Sequence, residues 1–217
     1  MTENEFDKEL IESLLARRFG KQARDIYVRA AHGKQSAWYG TCSLLSNQRI
    51  PTALIVDADT IDRDLTDEQL GDLEYLFGTS APRHMWLIVL AQPEVEAVFF
   101  SDPVMLEHIA GRKVSELDVA RAALCPRAAL QRLLPKPRSG HGAKQMVKRL
   151  SDSDFEKILA SDTFRPLIEF LHRQLSAKEP PPRIHRSGEA IGLLPPPSRA
   201  RHGRMASTSR GPGSRRR

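Results

Sequence analysis

Asp57-Ala58-Asp59 follows directly on the apolar run Thr52-Ala53-Leu54-Ile55-Val56. Carboxylates on alternate residues of an extended chain point to one side, and the exit of a buried strand is where open α/β sheets place their sites. Two such oxygens suit a hard divalent cation such as Mg²⁺, which takes one or two carboxylates and keeps several waters. The same pair is also an ordinary acidic turn, since Asp favours turns. A second acidic pair, Glu94 and Glu96, follows the apolar run Met85 to Leu90. If the two runs are neighbouring parallel strands, both pairs leave the sheet together and repel one another unless a cation lies between them. Taken alone, Glu94 reads as a carboxylate at a helix start, where the dipole favours it. Glu96, followed by Ala97-Val98-Phe99-Phe100, is harder to read as a solvated surface charge.

The elements that must position these groups read as follows. Phe6, Leu10, Ile11, Leu14 and Leu15 recur at helical spacing, which predicts a helix over Glu5 to Arg18 that ends at Gly20. Asp25 to Ala30 reads as a strand, Ala31 to Lys34 as a loop, and Ser36 to Leu45 as a helix capped by Ser36. Thr52 to Val56 is the central strand. A short helix over Asp67 to Leu76 leads to Met85 to Leu90, an apolar run of the kind buried on both faces. From Val95 to Leu175 the segments 95–100, 103–109, 115–124, 127–134, 143–150 and 154–175 read as helices or helix pairs. The expected architecture is a small, largely parallel sheet flanked by helices, with a helical C-terminal part. One domain is expected over 1–175, mainly helical over 94–175.

The 217 residues carry a net charge of +6, but not evenly. Ten of 33 basic and two of 27 acidic residues fall between Lys178 and Arg217, so that segment carries +8 and Met1–Ala177 carries −2. Residues 176–217 hold two Pro-Pro-Pro runs and the terminal Arg215-Arg216-Arg217, with few large aliphatic side chains. Such a composition cannot offset the entropy of ordering, so a disordered tail is expected, either a solvated extension or an arm attracted to phosphates. Cys42 and Cys125 form no Cys-x-x-Cys, which fits free thiols in a reducing cytoplasm. The acidic start has no apolar leader and no run approaches a membrane span, so a cytoplasmic protein without membrane contact is expected. The histidines and cysteines are not spaced as a zinc set, and no nucleophile elbow, P-loop or dinucleotide fingerprint occurs.

The acidic opening segment Met1-Thr2-Glu3-Asn4-Glu5-Phe6-Asp7, the Asp57-Ala58-Asp59 pair and Pro93-Glu94-Val95-Glu96-Ala97 together resemble the Toprim-like proteins. The likeness is to the small stand-alone Toprim-like family of unknown function from bacterial defence contexts, related in fold to the nuclease domains of the OLD family. It continues through Lys136 to Lys144 and Ser161 to Leu171. The resemblance implies a Mg²⁺- or Mn²⁺-dependent nuclease, with Asp57 and Asp59 as catalytic metal ligands, Glu3 as a catalytic metal ligand or general base, and Glu94 and Glu96 as secondary metal ligands or orienting groups. It implies a nucleic-acid partner and an ATPase of the ABC or SMC class. Lys34, Lys136, Arg138 and Lys144, with Lys148 and Arg149, are candidate phosphate contacts, or else solvated charges. The chain departs from the family pattern where no strand precedes Glu3 and where Asn4 replaces the usual Gly. A catalytically degenerate binding or regulatory subunit is therefore the alternative. Asp57-Ala58-Asp59-Thr60 also resembles the first motif of haloacid-dehalogenase-like phosphatases, but the next strand ends in Ala91-Gln92 where that family needs Ser or Thr.

Overall fold

A computed structural model describes residues 1–134 and 142–178, all within a unit spanning Met1–Pro180. Lys136, Arg138 and the tail over 179–217 lie outside the described residues. The centre is a parallel pair of strands, β1 (Thr52–Asp57) and β2 (Trp86–Ala91), with Thr52 opposite Trp86 and Asp57 opposite Ala91. Alternation along β1 sends Leu54 and Val56 to one face and Ile55 to the other, and each face buries its residues under helices.

Under the Leu54 face lie α2 (Lys34–Ser46) and α3 (Arg63–Ser80), which contribute Ala37, Leu45, Leu73 and Phe77. Over the Ile55 face lies α1 (Glu5–Phe19), which buries Leu10, Ile11, Leu14, Leu15 and Phe19 along the predicted stripe. Asn4 caps its start by accepting from the Asp7 N–H, and Gly20, at φ 53°, closes its end. The same core takes in a 3-10 turn, Val95–Phe100, and the later helices. These are α4 (Pro103–Ala110), α5 (Glu116–Ala122), α6 (Pro126–Leu133), α7 (Gly142–Arg149), α8 (Asp152–Ala160) and α9 (Arg165–Lys178). The fold is mixed α/β, with a small parallel sheet flanked by helices and a helical C-terminal region. Among the described residues no helix is long and apolar enough to cross a membrane.

Four local predictions need correction. Asp25 to Ala30 is not a strand: Gly20–Asp25 is a 3-10 helix, and Ala30 makes a single parallel bridge, to Thr2. The segment pairs through that single bridge, with Arg29 and Ala31 both bonded to Thr2, and one bridge does not make a ladder. Ser36 does not cap α2; the helix starts earlier, at Lys34, after Gly33 at φ 122°. The helix expected over Asp67 to Leu76 runs instead from Arg63 to Ser80, because Asp62 accepts from the N–H groups of Asp64 and Leu65. Its first turns are polar and exposed, so the apolar pattern did not mark them. At the other end α9 continues past the predicted boundary at 175.

Met1 and Thr2 complete the sheet in miniature. The Met1 amine donates to the Ala53 carbonyl at 2.8 Å and the Ile55 N–H donates to the Met1 carbonyl at 2.9 Å. On the other side the Thr2 N–H donates to Arg29 and the Ala31 N–H donates to Thr2, at 2.8 and 3.0 Å. This stub delivers Glu3 to the same edge as Asp57.

Candidate functional site

The two strand exits are tied together beyond the ladder. The Ala58 N–H donates to the Ala91 carbonyl at 2.7 Å and the Asp59 N–H to the Pro93 carbonyl at 2.9 Å. The Gln92–Pro93 peptide is cis. Glu94, Val95 and Glu96 follow immediately, so residues 57–59 and 94–96 sit side by side as the sequence predicts.

The two aspartates part company there. Asp57 is buried: one carboxylate oxygen accepts from the Val95 N–H at 2.9 Å and the other from Nη2 of Arg127 at 2.6 Å. Asp59 takes a left-handed backbone, φ 58°, and its exposed carboxylate accepts from Nζ of Lys34 at 2.6 Å. Lys34 is the first residue of α2, and the Gly33 N–H ahead of it donates to the Glu3 carbonyl. The half-buried Glu3 carboxylate accepts from the Asp57 N–H at 3.0 Å, standing in for the next rung of the stub strand.

Arg127, at the start of α6, gathers the remaining carboxylates. Its Nε donates to Glu96 at 2.7 Å, and Nη2 reaches Asp57 at 2.6 Å and Asp7 at 3.4 Å. Its backbone N–H donates to Glu94 at 2.7 Å. Cys125 gives α6 no side-chain cap, so Glu94 supplies an acceptor for an N–H that the first turn leaves free. Asp7, Asp57 and Glu96 are essentially inaccessible to solvent. Asp7 is held by the Asn4 side chain at 2.7 Å as well.

One guanidinium shared among three buried carboxylates cannot fully stabilise any of them. Burial, and then the charge of Glu96, push the Asp7 carboxyl up to about 8, with Arg127 opposing them. Burial likewise raises Asp57 and Glu96 despite the Arg127 contacts. It raises Glu3 too, against the hydrogen bond from the Asp57 N–H. Burial opposes the charge on Arg127, but Glu96, then Asp57 and Asp7, outweigh it and hold the guanidinium firmly protonated. At neutral pH Asp7 therefore keeps its proton for much of the time.

Oxygen donors of this kind fit a hard divalent cation in chemistry. In position they are divided: Arg127 lies among Asp7, Asp57 and Glu96, and Lys34 draws Asp59 away. Among the described residues no three His, Cys, Asp or Glu side chains are grouped to hold a metal ion. Of the candidate phosphate contacts, Lys34 is at this edge. Lys144 lines a surface hollow with Glu5, Glu9 and Glu12 of α1, an acidic setting unlike a phosphate track. Lys148 is exposed on α7, and Arg149 donates to the Ile109 carbonyl, tying α7 to the end of α4.

Asp7 and Arg127 are the members of the cluster that the sequence reading did not single out. For Asp7 a signal exists, since Asp7, Ile11 and Leu14 share one helical stripe, which places a carboxylate on the buried face. For Arg127 the sequence marks only a helix start, through Pro126. Comparisons with protein-family models, with curated proteins and with solved structures return no match.

Proposed function

We propose that this chain is a Toprim-like, nuclease-like protein acting on nucleic-acid phosphodiesters with Mg²⁺ or Mn²⁺. Glu3, Asp57 and Asp59 would hold the cation at the exit of β1, with Glu94 and Glu96 behind them. One observation carries the reading: Glu3, Asp7, Asp57, Asp59, Glu94 and Glu96 converge where Arg127 and Lys34 are the cations of the hydrogen-bonded cluster. The edge is under-neutralised, to the point that Asp7 holds its proton up to about pH 8. A purely structural ion pair would need one carboxylate. When bound, a divalent cation supplies stabilisation of charge on a phosphoryl oxygen. Of the chain's own residues, Asp59 stands at the open mouth paired with Lys34, which would orient a phosphate there, and Asp57 fixes the β2 exit through Val95. The partner ATPase and the role in bacterial defence rest on the resemblance alone.

Arg127 favours a second reading, a catalytically degenerate relative that binds nucleic acid, with the guanidinium standing permanently for the cation. Cleavage of single- and double-stranded DNA and RNA with Mg²⁺ or Mn²⁺ separates the two. Because Asp57 is buried, its loss confuses folding with chemistry, so the informative variant is Asp59→Asn, which removes the charge at the exposed mouth and keeps a residue suited to φ 58°. The nuclease reading expects at least a ~10-fold loss of rate with unchanged thermal stability. Equal rates in wild type and variant remove the proposed site. Metal-independent binding without cleavage selects the second reading.

A further inference from the structure

Nη2 of Arg127 lies 2.6 Å from Oδ2 of Asp57, 3.4 Å from Oδ1 of Asp7 and 3.4 Å from Oε2 of Glu96. The three oxygens come from the end of β1, from α1 and from the 3-10 turn, and they meet at one nitrogen. A guanidinium Nη carries two hydrogens, so it cannot donate squarely to all three at once. The place is over-provided with acceptors for a planar donor, whereas a spherical cation has no such limit. The carboxylates do not depend on the guanidinium for their placing: Asp57 also accepts from the Val95 N–H and Asp7 from the Asn4 amide. Nor does α6, which is anchored by the buried Pro126, Ala129, Leu130 and Leu133 and by the backbone N–H bonded to Glu94. What is left to move is the Arg127 side chain, which is 29% exposed and so already borders solvent.

We propose that Arg127 is a plug, a tethered counter-ion that keeps this position occupied from within, so that a divalent cation is admitted only as the guanidinium swings out to solvent while α6 stays in place. The plug presupposes the cation-binding reading of this edge and supplies its regulation: affinity for the cation is set by how tightly the chain's own arginine holds the position. Three carboxyl groups facing one positive charge leave that hold incomplete, which is what lets a dication compete. A degenerate relative would keep the guanidinium in place permanently; a plug gives it up.

The test is Mn²⁺ binding to the full-length protein, read from the loss of the free-ion electron paramagnetic resonance signal. The variant is Arg127→Met, which keeps a long apolar stem and removes the charge. It is expected to bind one Mn²⁺ at least ~10-fold more tightly than the wild type, and to gain more in Tm from the ion. Affinity equal to or below that of the wild type overturns the plug. So does Mn²⁺ binding that survives when Asp57→Asn is added to Arg127→Met, because the ion then lies elsewhere. Should either variant fail to fold even with Mn²⁺ present, the wild type carries the test through the Arg127 Nε–H, which donates to Glu96 at 2.7 Å. Mg²⁺ at tens of millimolar is expected to speed exchange of that proton with water by at least ~10-fold, and unchanged exchange overturns the plug. Cleavage is a separate outcome. Tighter Mn²⁺ binding by Arg127→Met with no cleavage of any substrate supports the plug and removes the nuclease reading, whereas cleavage by the wild type with no gain of affinity in the variant overturns the plug alone.

Discussion

The two ends of β1 are opposites. Its N-terminal end borders a cavity with too few side chains, while its C-terminal end holds more carboxylates than the surrounding cations can neutralise. The same six residues run between them, so the contrast does not come from the strand itself. It comes from what each neighbour supplies: at one end the residues around Ile26, Val28, Thr52 and Phe170 leave a cavity of about 510 Å³ between them, and at the other Glu3, Asp7, Glu94 and Glu96 are all delivered to one edge. An underfilled end costs dispersion contacts and responds to volume. An overcharged end costs electrostatic energy and responds to charge and pH.

The largest expected effect tests the charged end. Arg127→Ala leaves Asp7, Asp57 and Glu96 buried without their cation and should cost about 3–5 kcal/mol, read as a lower urea midpoint. Arg127→Lys, which keeps the charge but loses the fork, should fall between the variant and the wild type. If Arg127→Ala is nearly neutral, the carboxylates are already protonated and the contrast between the ends dissolves. Next is the underfilled end, tested by neighbouring residues of α1. Leu10, fully enclosed, should lose about 3–4 kcal/mol on change to Ala, whereas Ile11, which already faces the cavity, should lose nearer 2 kcal/mol. Equal losses would mean that the cavity does not weaken the packing of its lining.

Asp7→Asn comes third, and its signature is in pH. The folded carboxyl, at about 8 against an ordinary 3.8, binds more protons than the unfolded one across that window. Its contribution is therefore fully present below pH ~4 and is lost as pH rises through 8. The Met1 amine has the opposite sign: lowered from 8.0 to about 5, it makes the fold less stable as pH falls from 8 toward 5. The Asn variant removes the first slope and leaves the second. It should gain ~2 kcal/mol at pH 8 and little at pH 4, less than the full ~1.4 kcal/mol per pH unit because Glu96 and Asp57 re-titrate. A pH-independent difference in Tm would show that Asp7 is ionised throughout. The smallest effect is Lys34→Ala, below ~1 kcal/mol, because Asp59 is largely exposed.

How far the sequence carried depended on the kind of signal. α1 was legible because five apolar residues repeat at helical spacing, and β1 and β2 because the continuous apolar runs Thr52 to Val56 and Met85 to Leu90 need cover on both faces. The neighbouring exits of residues 57–59 and 94–96 followed from that pairing. Arg127 was not legible: its place depends on how α6 docks after three intervening helical segments, and no local spacing encodes that. The strand expected over Asp25 to Ala30 failed for a similar reason, since its composition was suitable but a ladder depends on a pairing partner that local composition does not encode, and here only one bridge forms, to Thr2. The opposed directions of Asp57 and Asp59 come from one backbone angle, at Asp59, that side-chain alternation does not anticipate.

That angle sets what position 59 accepts. At φ 58° Gly, Asn and Asp are at home, while a β-branched residue is strained. In a saturation library scored only for folding, Gly and Asn should survive at position 59 while Val and Ile are depleted. Scored for nucleic-acid processing, Gly and Asn should drop out as well, so the gap between the two screens measures what the carboxylate does apart from the turn it sits in.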